Sequence, residues 1–560
     1  MILLLGSDAY SPFRLEAIGE AIKKLVLSVL AVAALGAQAT TFTRPLDRVA
    51  SMDPLRATSM YDAMAIALAY EAPLEIDYFA RPYKLRPGLC ALPEVSADAR
   101  AYTFTIREGA VFHADPSLGN KSRPVTAQDL VYSLKRLADK KNASSGLWTM
   151  DAVARDAKGE PRVEALDARR VKITLEKPQY IFPWLMAMPY ASAVPKEAVE
   201  MYGSRFGSLA VGSGPYRLTD WWRNHRMRYT RAPAWPGWKD IPTKPYDELE
   251  FVVVDDASTQ WLMFLSGEVD MLRAIANDNW DAVVGPDGKL LPDLQAKGIR
   301  LFTTVALEVD YIGINMKDPV LGPNKKLRQA LNCAFDFDAW NRYCNNRLLP
   351  CSGPVPPGVE GRLETPFAYS YDVEKAKKLL AEAGYPGGVD PKTNRRLVIS
   401  ISCGRANQEV REEIELVQSF YNAVGLKLEP RYMTWDAFLQ AVNRGQTSLY
   451  LMSWLGDYPD AENFLQVFHS KNVAPGSNHG NYVNPEFDRI YDAGLTTRNA
   501  EERLTYWRKA QEIIREDCPW IFLYYPKRYS FAKARLGNYI PSDFPYGTEK
   551  YLYLKEQNSK

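Results

Sequence analysis

Among the six cysteines of this chain, Cys90, Cys333, Cys344, Cys351, Cys403 and Cys518, no two form a C-x-x-C pair, which disfavours a zinc ribbon or a thioredoxin-like site. Histidine is scarcer still. His113, His225, His469 and His479 are scattered and make no His-Glu-x-x-His pattern, so no metal constellation is expected. An excess of one charge is also missing. Lys and Arg total 69 against 67 Asp and Glu, with no long block of either sign, so nothing points to a nucleic-acid partner. The apolar run Leu25 to Leu35 falls well short of the roughly 20 residues a membrane helix needs.

That short run has another use. Lys23-Lys24 precede it and Gly36-Ala37-Gln38-Ala39 follow, the order of a Sec signal peptide cut after Ala39. No Cys follows the run, so no lipoprotein anchor is expected. Asp8, Glu16 and Glu20 stand where signals are usually basic, which points to a translation start placed too early. Export permits disulfides, and Cys344 with Cys351, bracketing a loop that enters Gly353-Pro354-Val355-Pro356-Pro357-Gly358, is the best candidate pair.

With 560 residues, two or three domains are expected. Tyr102, Phe104 and Ile106 alternate as a strand with one buried face. Thr126 caps a helix with Asp129 at its third position and Leu130, Val131, Leu134 and Leu137 on one side. With a further strand from Val171 to Leu175, residues 76–209 read as a separate α+β unit. Leu327, Leu331, Ala334 and Phe337 make one helical stripe, and Asp372 caps another helix. Leu397, Ile399 and Ile401, then Val410, Ile414, Val417, Tyr421 and Val424, then Leu426 and Leu428 spell a βαβ unit, which argues for a parallel sheet.

The segment Ser453 to Asp460 follows the apolar run Leu449 to Met452, a buried strand, and precedes a helix starting at Ala461. It therefore sits at the carboxyl end of a strand, where ligands bind in open α/β sheets, and Trp454 with Asp457 could hold a cationic group. Asp460 reads as a helix cap. His113 reads as a packed histidine, and Gly212-Ser213-Gly214-Pro215 as a tight turn, because the Lys-Ser/Thr ending of a phosphate loop is missing.

Taken in order, these stretches are similar to the dipeptide- and oligopeptide-binding proteins of bacterial ABC importers, solute-binding protein family 5. The resemblance runs from Met52-Asp53-Pro54 through Tyr70-Glu71, Arg107-Glu108-Gly109, Val125 to Ser133, Val211 to Tyr216, Ser266 to Asp270, Leu327 to Leu331 and Tyr371 to Leu380, ending on Trp454 to Asp460. It implies an α/β periplasmic binding protein fold of type 2, with two hinged lobes around a cleft and an extra α+β lobe. The implied division is 40–75, 210–307 and 525–560 for the first lobe, 76–209 for the extra lobe and 308–524 for the second.

The resemblance further implies capture of a short peptide by lobe closure and delivery to an inner-membrane ABC permease, by a periplasmic monomer without a cofactor or catalysis. Asp457 then takes the α-amino group beside Trp454, Thr58, Ser59 and Met60 meet the peptide main chain, and Arg405 falls near an arginine that takes the carboxylate in dipeptide binders. Nickel chelates, haem, sugars and modified peptides are alternative ligands within the family. An exported hydrolase using Asp457 and Asp460 is the alternative of another class.

Overall fold

The computed structural model describes residues 39–275 and 279–555; the leader expected over residues 1–39 lies outside them except for Ala39. The helix expected after Thr126 runs Ala127–Ala138 and starts where its cap dictates, because Thr126 and Asp129 exchange the two bonds of a capping box. Asp129 also receives both terminal nitrogens of Arg123, at 2.9 and 2.8 Å. Leu130, Leu134 and Leu137 share a core with Phe104, Val171 and Ile173 from a four-stranded antiparallel sheet, ordered Glu94–Val95, Ala101–Thr105, Arg170–Thr174, Val163–Ala165. That core also takes in Tyr458, far along the chain.

A second sheet pairs Thr41–Pro45 in parallel with Glu248–Val252, then adds Arg226–Arg231 and Tyr216–Trp222 antiparallel. Helix Met60–Ala69 lies on it, with Met64, Ile66 and Leu68 in one core with Phe42, Tyr229 and Phe251. The turn at Gly212 presses on the end of this helix. A Cβ at Gly212 would stand 1.9 Å from the Ala69 carbonyl oxygen, and Gly214 N–H donates to that same oxygen at 2.8 Å. His113 packs against the turn. Its backbone N–H donates to Gly212 O and its Nε2 bonds Gly214 O at 2.9 Å, while burial holds its pKa down at about 4.

The third sheet runs Met271–Leu272, Trp520–Lys533, Glu308–Ile314, Leu449–Leu455, Val398–Cys403, Lys427–Tyr432. The βαβ unit is present: Val398–Cys403 and Lys427–Tyr432 pair in parallel around helix Gln408–Ala423, whose Ile414, Val417 and Tyr421 are buried. The sheet as a whole is mixed, not parallel, because Glu308–Ile314 runs antiparallel to both its neighbours. Two other expectations need correction. The stripe from Leu327 to Phe337 spans two helices, Lys325–Ala334 and Phe337–Tyr343, because Phe335 turns extended and Asp336 caps a new start. Cys344 and Cys351 make no disulfide; the Cys351 thiol donates to Gly353 O at 3.1 Å.

Strand Trp520–Lys533 joins the two α/β halves. Its first residues pair with Glu308–Ile314 and its last with Ile299–Val305. Ala306 and Leu307, between those two partners, cross beside Pro526, and Ala306 N–H donates to Pro526 O at 2.9 Å. The chain thus passes between the halves on two adjacent, hydrogen-bonded strands.

Candidate ligand-binding site

Strand Leu449–Leu455 extends three residues beyond its apolar run because Ser453, Trp454 and Leu455 still pair with Asp310, Val309 and Glu308. The chain then leaves the sheet. Gly456 N–H donates to Leu307 O at 2.8 Å, tying the turn to the crossing strands. Asp460 caps helix Ala461–Leu465 by accepting from Glu462 N–H at 2.9 Å, and its other oxygen meets Arg503 Nη2 at 2.6 Å. Both of its oxygens are therefore committed.

Asn463, nine residues after Trp454 and fully buried, holds the segment together. Its Oδ1 accepts from the Trp454 indole N–H at 3.1 Å and from Asp457 N–H at 3.0 Å, and its Nδ2 donates to Asp457 Oδ2 at 3.3 Å. One amide thus fixes both the aromatic wall and the acid. Burial pushes the Asp457 carboxyl above its usual 3.8, with the Asn463 bond pulling the other way. Among the described residues no Lys or Arg pairs with it. A desolvated carboxylate without a cation is electrostatically incomplete.

Asp457 opens into a cleft of about 520 Å³ lined also by Trp148, Gln179, Ile181, Trp454 and Glu462. Glu462 accepts hydrogen bonds from the Tyr458 and Tyr491 hydroxyls, and burial raises its pKa to about 7. Its place is structural: it anchors Tyr458, whose ring lies 6.5 Å from that of Trp148.

The Thr58 to Met60 loop is organised by buried Asp62. Thr58 N–H, Thr58 Oγ1 and Ser59 N–H donate to Asp62 Oδ2 at 2.9, 3.2 and 3.1 Å, and Ser59 caps helix Met60–Ala69. The N–H groups of Thr58 and Ser59 are thus in use. Arg405 is exposed, two residues past a strand whose Cys403 pairs with Leu451, so it shares the sheet edge that carries Trp454. Its charge acts on Asp310 and Cys403, and the groups that shift Asp457 do not include it. Asn463 and Asp62 were not foreseen. A buried Asn at the third position of a capped helix leaves no periodicity to find, whereas Asp62, three residues after Ser59, is a capping-box signal that was there to be read.

A family model for bacterial extracellular solute-binding proteins, family 5 Middle, matches residues 84–475. The chain is 27% identical over 472 residues to heme-binding protein A of Haemophilus influenzae, covering 82% of this chain and 83% of that one. It is also 27% identical over 536 residues to di/tripeptide-binding protein 2 of Pseudomonas aeruginosa, covering 92% and 95%. Among solved structures, HbpA2 from Haemophilus parasuis superposes with a TM-score of 0.79 at 24% identity over 92% of this chain and all of that one. The periplasmic binding protein DppA from Helicobacter pylori, in complex with the peptide STSA, gives 0.74 at 22% over 93% and 98%. These likenesses bear out the α/β periplasmic binding protein fold expected from the sequence. With the family model spanning well over half its length, the chain belongs to the bacterial extracellular solute-binding proteins, family 5.

Proposed function

We propose that this protein captures short peptides with a free amino terminus in the periplasm, by closure of two lobes, and hands them to the inner-membrane permease of an ABC importer. The observation that carries the reading is Asp457: a desolvated carboxylate, fixed by Asn463 beside Trp454, with no cation of its own. The names of relatives that bind di- and tripeptides support it. The lobes in this reading are 40–75, 210–307 and 525–560 for the first and 308–524 for the second, with 76–209 as the extra lobe. The Thr58 to Met60 loop offers the Thr58 carbonyl to the peptide backbone, since Asp62 takes the Thr58 and Ser59 N–H groups and Ser59 O already accepts from Ala63 N–H at 3.1 Å. Asp460, held by its cap and by Arg503, is a poor second carboxylate for a hydrolase.

Calorimetry with a tripeptide and its N-acetylated form tests the proposal. The free amine is expected to bind and the acetylated form to lose most of its affinity, and mass spectrometry is expected to recover the peptide intact; equal affinities, or a cleaved peptide, would sink the reading. Export through Sec, with the leader removed, predicts that N-terminal sequencing of protein from the periplasm begins at Thr40. Retention of Met1 would refute that step.

A further inference from the structure

A second, small cavity, of about 50 Å³, lies where helix Met60–Ala69, the end of strand Met271–Leu272 and strand Trp520–Lys533 converge, and three arginines line it: Arg44, Arg273 and Arg528. Two are neutralised. Arg44 Nη2 meets Glu549 Oε1 at 2.7 Å, and Arg528 Nη2 meets Glu308 Oε2 at 2.9 Å. Arg273 differs. Among the described residues it donates to Met64 Sδ at 3.3 Å and pairs with no carboxylate. A thioether is a weak acceptor, and no other acceptor among the described residues takes the remaining N–H donors of this half-buried guanidinium. Its surroundings are unfavourable to charge: burial and the neighbouring Arg44 and Arg528 all disfavour its protonated form.

A guanidinium kept charged at such a place is normally balanced by an anion. The cavity and the site around Asp457 share a neighbour, and the helix beside the cavity starts at the Thr58 to Met60 loop. Tyr546 packs both against the core that holds Trp454 and against the core that holds Met64 and Met271, and the charges of Asp457 and Arg273 both act on its hydroxyl. Met64 stands four residues after Met60, on one face of the helix that Ser59 caps.

We infer that Arg273 takes the α-carboxylate of the bound peptide, the anionic end of a ligand whose ammonium lies at Asp457. This rests on the peptide reading above and assigns the opposite end to a residue that no sequence motif marked. A fork of two parallel N–H donors suits a carboxylate, and the α-carboxylate is the one anion that every short peptide carries. The ligand's charge then cancels the unpaired arginine as its ammonium cancels the unpaired aspartate.

The test is calorimetry on wild type and Arg273→Gln with a tripeptide and its C-terminal amide, together with melting temperatures of the free proteins. Wild type is expected to prefer the acid by about 10- to 100-fold. Arg273→Gln is expected to bind acid and amide alike, at the level of wild type with the amide, and to melt no lower, because it removes an unbalanced charge. Equal affinity of wild type for acid and amide overturns the inference even if the variant does not fold. Preserved discrimination in Arg273→Gln overturns it too, as does an equal loss of both ligands, which marks a structural role. If wild type binds neither peptide form, the functional reading itself fails and the anchor falls with it, an outcome distinct from the other three.

Discussion

Asp457→Asn is expected to lower affinity for a free-amine peptide by roughly thirty- to several-thousand-fold, about 2 to 5 kcal/mol, when measured by calorimetry at neutral pH. The reason is the fate of the ligand's ammonium. Asparagine keeps the size of the side chain and its bond to Asn463, but leaves a desolvated cation with a neutral partner. The free protein responds in the opposite sense. The Asp457 carboxyl has a folded pKa raised above its unfolded value, so the ionised form is penalised in the fold, and that contribution to stability is lost as pH rises from 3.8 through the raised value. The asparagine variant has no such dependence and should be at least as stable at pH 7. Binding has its own signature: the ligand needs the ionised carboxylate, so affinity falls as pH drops towards the raised pKa, and binding in that range releases a proton. Unchanged affinity in Asp457→Asn would refute the role.

The largest effect on stability is expected at Glu549. Arg44 and Glu549 are only 2% and 3% exposed, and Glu549 Oε1 takes both Nε and Nη2 of Arg44, at 3.2 and 2.7 Å. Glu549→Ala leaves Arg44 buried without its anion and beside Arg273, so about 3 to 5 kcal/mol of stability should be lost in urea denaturation. The double change Arg44→Met with Glu549→Leu should recover most of it, because the penalty belongs to the orphaned charge and not to the absence of a pair. A single variant as stable as wild type would show that water reaches Arg44.

Where burial follows a period, the sequence was legible. Ile399, Ile401, Ile414, Val417 and Tyr421 repeat as strand and helix demand, and all are buried as expected. Caps were equally plain at Thr126, Asp372 and Asp460, since an oxygen placed before an apolar stripe has one obvious use. The sheet's mixed direction was not readable, because the strand that reverses it, Glu308–Ile314, pairs with Leu449–Leu455, more than 130 positions later, and with Trp520–Lys533. The site divided in the same manner. Trp454 and Asp457 stand in a contiguous motif, whereas Asn463 enters through contacts that exist only after folding. Many other motif residues proved to be joints: Asp53 takes Arg136 through both oxygens at 2.7 and 2.6 Å, and Asp270 takes Arg535 at 3.0 and 2.7 Å.

The pair of crossing strands at Ala306 and Pro526 restricts how the two halves can move. A single strand between them would be a swivel, free about three axes. Two strands joined side by side by the bond from Ala306 N–H to Pro526 O form a ribbon, stiff in its own plane and compliant only to bending and twisting out of it. The Gly456 bond to Leu307 places the Trp454 to Asp460 turn on that ribbon's edge. In the proposed reading, Asp457 is therefore fastened beside the flexure itself, so the ligand's anchor and the pivot of closure are neighbours.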